Sequence, residues 1–139
     1  MASDSQWALQ QAVHTALTGD ATLKTLIGDP ARVYDHVPQD TAFPYVVIGE
    51  ATSIPGEAEA KGQDMFEQTL TIHTWSEYWG FSEVKRIMTA IVDVLDRASL
   101  SVAGYTLLEI KFEFSDVSLD PDQITKHGVQ RFRATTEPA

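Results

Sequence analysis

The sequence predicts an α+β protein, in which an antiparallel or mixed β-sheet of four to five strands carries helices packed on one face. Residues 106–114 alternate apolar and polar side chains for most of their length, as a half-buried strand does, whereas residues 84–95 carry an apolar stripe at helical spacing. Turn-forming residues separate the strand-like segments before and after that helix, which is typical of antiparallel hairpins. The predicted element order is α-α-β-β-β-α-β-β, and 139 residues fit a single domain, residues 1–139.

The first two predicted elements are helices. Ser3 and Gln6 predict a capping box at the start of the first helix, and Gly19 predicts its end. Asp20 predicts the N-cap of a second, shorter helix, which Gly28 ends. The apolar residues of the first helix recur at helical spacing: Leu9, Ala12, Val13, Ala16 and Leu17.

Two strand-like segments follow, ARVYDHVP at residues 31–38 and FPYVVIGEAT at residues 43–52. Pro44 has no N–H to donate to a sheet, so it must lie at the start of its strand or on an edge. Residues 53–64, SIPGEAEAKGQD, are small, acidic and without periodicity. They predict a long mobile loop that joins two antiparallel strands.

The stretch FEQTLTIHTWSEYWG, residues 66–80, predicts a third strand that leads into the clearest helix. Its residues alternate between two faces, with His73 and Trp75 on one face and Gln68 interrupting the apolar run of the other. Ser82 predicts the N-cap of the helix. The helix carries an unbroken apolar stripe made of Val84, Ile87, Met88, Ile91, Val92 and Leu95.

The last two strands are predicted to flank the turn sequence SLDPDQ at residues 118–123. The final strand lies within ITKHGVQRFRATTE, residues 124–137, and Gly128 predicts a β-bulge in it. In the strand before the turn, one face is predicted to carry only apolar side chains, those of Leu108, Ile110, Phe112 and Phe114.

The composition excludes several classes of protein. There is no cysteine, which rules out disulfides, thiolate catalysis and cysteine-ligated metals. Twenty acidic residues against ten basic ones give a net charge of −10, which disfavours specific nucleic-acid binding but is compatible with an acidic channel along which DNA slides. No apolar run approaches the roughly 18 residues of a membrane span, and no signal-peptide pattern is present, so a soluble, non-secreted protein is predicted.

Few side chains are arranged for chemistry. The four histidines, His14, His36, His73 and His127, form none of the motifs HxH, HxxxH or HExxH, so the sequence predicts no metal and no cofactor. No serine lies in a GxSxG motif, so nucleophilic catalysis is not predicted either. Solvated or hydrogen-bonded histidine is the default interpretation. The alternative is a small ligand-binding or enzymatic α+β domain in which His73 and His127 converge in a deep pocket.

Aromatic residues crowd the connection between the third strand and the long helix. Trp and Tyr are enriched in protein interfaces, and Arg pairs there with carboxylates. Core packing stays open as the alternative for the aromatic residues, and pairing with Glu109 and Glu113 within the chain stays open for the arginines. The residues predicted to make subunit or partner contacts are Phe43, Tyr45, Trp75, Tyr78, Trp79, Arg131 and Arg133.

Four segments, taken in order, resemble one protein family. They are ALQQAVHTALTGDATLKTLIGD at residues 8–29, RVYDHVPQDTAFPYVVIGE at 32–50, LTIHTWSE at 70–77 and FEFSDVSLDPDQITKHGVQRFRATTE at 112–137. The chain is similar over this length to the tail completion, or tail terminator, family of long-tailed phages.

The resemblance implies a structural virion protein with no catalytic activity. It implies a homohexameric ring that caps the finished tail tube, stops its polymerisation and presents the surface to which the DNA-filled head joins. The implied partners are further copies of the chain, the major tail tube protein and a head-side neck or connector protein. DNA only passes through the lumen, and no membrane is contacted.

The resemblance also implies a location at the junction of tail and neck. The particle can be a phage, a prophage remnant or a gene transfer agent, made in the cytoplasm of the bacterial host. A head-to-tail adaptor or stopper of the neck, which also forms rings, is the alternative within the same class of protein.

Overall fold

A computed structural model describes residues 4–56 and 65–139. The strands form one five-stranded sheet in the order β1-β2-β3-β5-β4, in which β1 is parallel to β2 and every other neighbouring pair is antiparallel. The predicted α+β class and element order are confirmed. The elements are α1 Gln6–Thr18, α2 Ala21–Ile27, β1 Val33–Tyr34, β2 Tyr45–Pro55, β3 Phe66–Ser76, α3 Ser82–Leu95, β4 Tyr105–Leu119 and β5 Lys126–Pro138.

The helices cover one face of the sheet. Helix α3 packs on β3, β4 and β5, α1 packs on β1 and β2, and α2 contacts both other helices. The predicted stripe of α3 is buried except for Val92, which is half buried. No helix in the described part is long and apolar enough to cross a membrane. The core between the layers centres on Leu9, Val13, Leu17, Leu23, Ile27, Ile72, Ile87, Ile91, Leu95, Ile110 and Phe132.

Buried polar side chains interrupt the apolar face of the sheet where partners are available. Gln68 donates its side-chain amide to Ser5 Oγ, and the same hydroxyl lies 2.6 Å from Thr136 Oγ1. Gln130 donates to the carbonyl oxygen of Met88 at 2.9 Å. Because a buried polar group needs a partner, these bonds fix the start of α1 and the middle of α3 on the sheet.

The predicted N-cap of α2 is confirmed and that of α3 is wrong. Asp20 accepts a hydrogen bond from the backbone N–H of Leu23 at 3.0 Å. Helix α1 follows Ser5, whose hydroxyl is engaged with buried partners and makes no bond to the helix end, while Ser3 lies outside the described residues. Ser82 is the first residue of α3 and not its cap.

Strand β2 is longer than predicted. Ser53–Pro55 pair with the start of β3, so these residues belong to the strand and not to the predicted loop 53–64. The parallel strand β1 pairs only with Val46 and Val47, so the rest of β2 is an edge strand, where proline is tolerated. Residues 57–64 of the predicted loop lie outside the described residues.

The apolar face predicted for β4 is wrong at both ends. Ile110 is buried and Phe112 half buried, but Leu108 and Phe114 are 46% and 43% exposed. The pairing of β4 with β5 shifts at Leu108 and again before Phe114. Each extra residue interrupts the alternation, so Phe114 pairs with Arg131 and lies on the face away from the helices.

Gly128 does not form the predicted bulge. It pairs in regular register with Thr74 of β3 and Val117 of β4. A Cβ at this position would overlap Met88 Sδ and lie 3.2 Å from Val84 Cγ2. Glycine at this position leaves room for the Met88 and Val84 side chains of α3, which packs on β5.

Candidate interaction surface

The face of the sheet opposite the helices is called the open face below. Strand alternation places the odd-numbered residues 67–75 of β3 and 127–135 of β5 on it. The buried core lies against the other face, which carries Leu70, Ile72, Phe132 and Ala134.

An aromatic cluster occupies one end of the open face, where β2 begins and β3 ends. Tyr45 pairs with Trp75 across these strands, and the Phe43 ring lies 5.0 Å from that of Tyr45. The Trp75 ring stacks on the His127 imidazole with centroids 3.8 Å apart. Burial, and then the negative charge of Glu77, raise the pKa of the Tyr45 hydroxyl, which stays neutral. All these rings are half buried, so they combine core packing with an accessible edge.

Beside this cluster, the end of the sheet exposes a set of large apolar side chains. Tyr78 and Trp79, in the connection from β3 to α3, are 47% and 86% exposed. The end of β3 pairs with the start of β5, which pairs with the end of β4, so the β4–β5 turn lies at the same end. An exposed apolar surface is a candidate site of contact with another protein. We call it the apolar end surface, formed by Tyr78, Trp79, Phe81, Leu119 and Ile124.

The two arginines do not join the aromatic cluster. They lie four and six residues beyond His127 on β5, roughly 13 and 20 Å at about 3.3 Å per residue. Arg133 pairs within the chain, with Nε 2.8 Å from Glu113 Oε2 and Nη1 3.4 Å from Glu67 Oε1. Arg131 instead places its guanidinium 5.0 Å from the centre of the Phe114 ring.

The two histidines of the enzymatic alternative do converge. His73 Nδ1 lies 2.8 Å from His127 Nε2, and His73 Nε2 lies 2.7 Å from Glu50 Oε1. The His73 N–H holds the pKa of the Glu50 carboxyl below its usual value, and burial followed by the neighbouring His73 lowers the pKa of His127. This arrangement lies on the open face, and neither histidine lines any of the four best-formed clefts of the described residues.

The other two histidines belong to a cleft between α1 and β1. His14 Nε2 lies 3.2 Å from the carbonyl oxygen of Val33, and Asp35 accepts a hydrogen bond from Gln10 at 3.0 Å. His36 also lines this cleft. The bonds of His14 and Asp35 fasten the edge of the sheet to α1. Across residues 4–56 and 65–139, no group of three or more His, Asp or Glu side chains is placed to hold a metal ion.

Sequence reasoning predicted the β4–β5 turn but missed Glu50 and the exposed apolar residues at that turn, Leu119 and Ile124. The signal for Glu50 was the glycine before it, because a glycine inside a strand often marks a bulge that redirects a side chain. The pairing of β2 with β3 does shift between Ile48 and Ala51. Leu119 and Ile124 have no local signal, since only the pairing of β3, β5 and β4 brings their turn to the end of the sheet at which β3 stops.

These features define a small α+β protein whose distinctive surfaces suit contact with other proteins. The chain matches the family described as tail completion protein gp17 over residues 11–137. It therefore belongs to that family of structural phage tail proteins, and the predicted family is confirmed.

Individual relatives agree with this assignment. The chain is 29% identical over 129 residues to tail completion protein gp17 of Bacillus phage SPP1, which covers 92% of this chain and 91% of the relative. It superposes with a TM-score of 0.87, at 28% identity, on a chain in the virion of a native gene transfer agent particle, covering 96% of this chain and 97% of that one. A further solved chain, 11% identical with a TM-score of 0.58, shares the fold alone. The predicted role in tail assembly and location in the virion are confirmed, and such a role implies association with other tail and head proteins.

Proposed function

We propose that this protein is a tail terminator: a homohexameric ring that caps the tail tube, ends its polymerisation and forms the surface to which the head joins. The observation that carries the proposal is the match to the tail completion family over residues 11–137, nearly the whole chain. Completing a tail means ending a polymer and leaving a surface for the next component. The protein does so by binding, without catalysis.

The exposed surfaces support the proposed ring. A closed ring needs two different surfaces on each subunit that meet head to tail. Strand β4 is the edge of the sheet and exposes Leu108 and Phe114, and an exposed apolar edge favours pairing with another chain. We assign this edge and the open face, including Arg131 and Arg133, to the contact between neighbouring subunits.

The apolar end surface then faces along the ring axis. We assign Tyr78 and Trp79 to the contact with the tail tube protein or the head-side neck protein, because a ring stacked between two components needs apolar surface on its ends. Phe43, Tyr45 and Trp75 lie at the same end of the sheet, where Tyr45 pairs with Trp75 and the Phe43 ring lies 5.0 Å from that of Tyr45. The net charge of −10 supports a lumen through which DNA passes without binding.

Free tails and filled heads that lack tails provide the test. Both are purified from one lysate, and the full chain is located on them with a gold-labelled antibody under negative-stain electron microscopy. A terminator leaves the label at one end of free tails and off the heads. Label on the heads and not on the tails would indicate an adaptor or stopper of the neck, and label along the tube would also overturn the proposal.

A further inference from the structure

A hydrogen-bonded chain of three side chains crosses three strands on the open face. His73 of β3 lies between Glu50 of β2 and His127 of β5, at 2.7 Å and 2.8 Å respectively. Both distances are those of well-formed hydrogen bonds. The chain links the strands through side chains, in addition to their backbone pairing.

The carboxylate at one end determines where the protons lie. Glu50 only accepts, so His73 Nε2 carries a proton and, in the neutral ring, Nδ1 is an acceptor. The Nε2–H of His127 therefore donates to His73 Nδ1. One further proton can bind to His127 Nδ1, which takes part in neither hydrogen bond, so the His73–Glu50 and His73–His127 bonds both remain. A second one, on His73 Nδ1, points two N–H groups at each other across 2.8 Å and breaks that bond.

The backbone is shaped to hold His73 in this position. The irregular pairing of β2 around residues 49–50 places Glu50 within reach of β3. A Cβ on Gly49 would lie 2.8 Å from His73 Cδ2, so glycine allows the imidazole to lie over the strand. The irregular pairing of β2 and the missing side chain of Gly49 thus both help to position His73.

Each imidazole has a partner of its own that tolerates a positive charge. His73 has the Glu50 carboxylate, and His127 has the face of Trp75, at 3.8 Å and an interplanar angle of 6°. The charged groups around His127 come from four elements or turns: Glu50 of β2, His73 of β3, Asp116 of β4 and Asp120 after β4.

We propose that Glu50, His73 and His127 form a proton-sensitive latch on the open face. The latch is closed while the two imidazoles share one N–H between them. It opens at that bond when both rings are protonated, and each ring then keeps its own partner. The proposal stands on the geometry of the described residues and holds whatever the role of the protein in the tail.

The burial of His127, and next its neighbour His73, make the folded protein sensitive to acid. Burial and the adjacent His73 lower the pKa of His127 below 6.5 in the folded chain. The unfolded chain consequently takes up this proton first as the pH falls through about 6.5, and the folded state loses stability. The free energy of unfolding keeps falling until the pH passes the folded-state pKa of His127. Above the pKa of the unfolded chain, His127 causes no such loss.

A pH titration of the full chain by NMR, observing imidazole nitrogens and their protons, tests the latch. The expected result is a pair that takes up protons in two separate steps. The His127 Nε2–H signal persists through the first step and is lost in the second. In His73→Gln, whose amide oxygen still accepts a hydrogen bond, His127 is expected to titrate in one step, with its pKa raised above that in the wild type.

Two further variants keep the test decisive. His36→Gln removes an exposed histidine outside the latch and is expected to leave the His127 curve unchanged. Glu50→Gln removes only the carboxylate and is expected to move the first step of the pair to lower pH. Identical His127 curves in the wild type and His73→Gln, or loss of the Nε2–H signal in the first step, would overturn the proposal. If His73→Gln does not fold, the Glu50→Gln variant decides the test. A first protonation step at the same pH as in the wild type would then overturn the proposal.

Discussion

Trp79 is 86% exposed, more than any other large apolar side chain in the described part of the chain. A side chain this exposed contributes little to the core, so its removal is expected to change the free energy of unfolding by no more than about 0.5 kcal/mol. A tryptophan at the centre of an interface commonly contributes about 2 kcal/mol or more to binding. Substitution of Trp79 therefore tests binding by the apolar end surface without disturbing the folding of the domain.

We predict that Trp79→Ala folds normally but gives at least about tenfold fewer head-joined tails, since about 1.4 kcal/mol corresponds to a factor of ten in binding. The measurement is a count of joined particles after complementing a strain that lacks the gene. Trp7→Ala is the matched control, because Trp7 is an exposed tryptophan on α1, outside the apolar end surface. Equal counts for the two variants would remove Trp79 from the proposed contact.

Single residues were predicted well where local chemistry decides and poorly where a distant element decides. Asp20 caps α2 because the donor it serves is three residues away, within the same turn. Gly128 was misinterpreted as a bulge because the atom that excludes a Cβ belongs to Met88, forty residues earlier in the chain. Glu50 was missed for the same reason, since its partner lies on the next strand.

Helix α3 is the element on which the packing of the domain depends, because its stripe faces three of the five strands. We predict that Ile91→Ala, at a completely buried position, lowers the free energy of unfolding by about 2–5 kcal/mol. Thr89→Ala, on the exposed side of the same helix, is expected to change it by no more than about 0.5 kcal/mol. Denaturant unfolding of the two variants measures both values. A similar loss for both would contradict the assignment of the stripe to the core.

At the scale of elements, periodicity predicted the helices and most strand faces, because these depend on which side of one element is apolar. The predicted faces of β4 are wrong at Leu108 and Phe114, because a bulge depends on how two strands pair and not on one strand alone. The end of β2 was also misplaced. Ser53 and Pro55 have low strand propensity, and pairing with β3 extends the strand in spite of it.

For the whole molecule, the order of elements and the family were predictable, whereas the order of strands in the sheet was not. That order places β5 between β3 and β4, and so brings the β4–β5 turn to the end of the sheet at which β3 leads into the connection that carries Trp79. The apolar end surface therefore exists only in the folded molecule. The residues predicted for contacts divide between this surface, the aromatic cluster and the open face, and their assignment to subunits or partners stays a prediction.

The central claim, that this protein ends tail growth and prepares the tail for the head, is tested most directly by the length of tails made without it. Particles from a strain that lacks the gene are imaged by negative-stain electron microscopy, and tail length and head attachment are scored. The account predicts tails that are overlong or of variable length, without heads, beside filled heads. Tails of normal length joined to heads would contradict it.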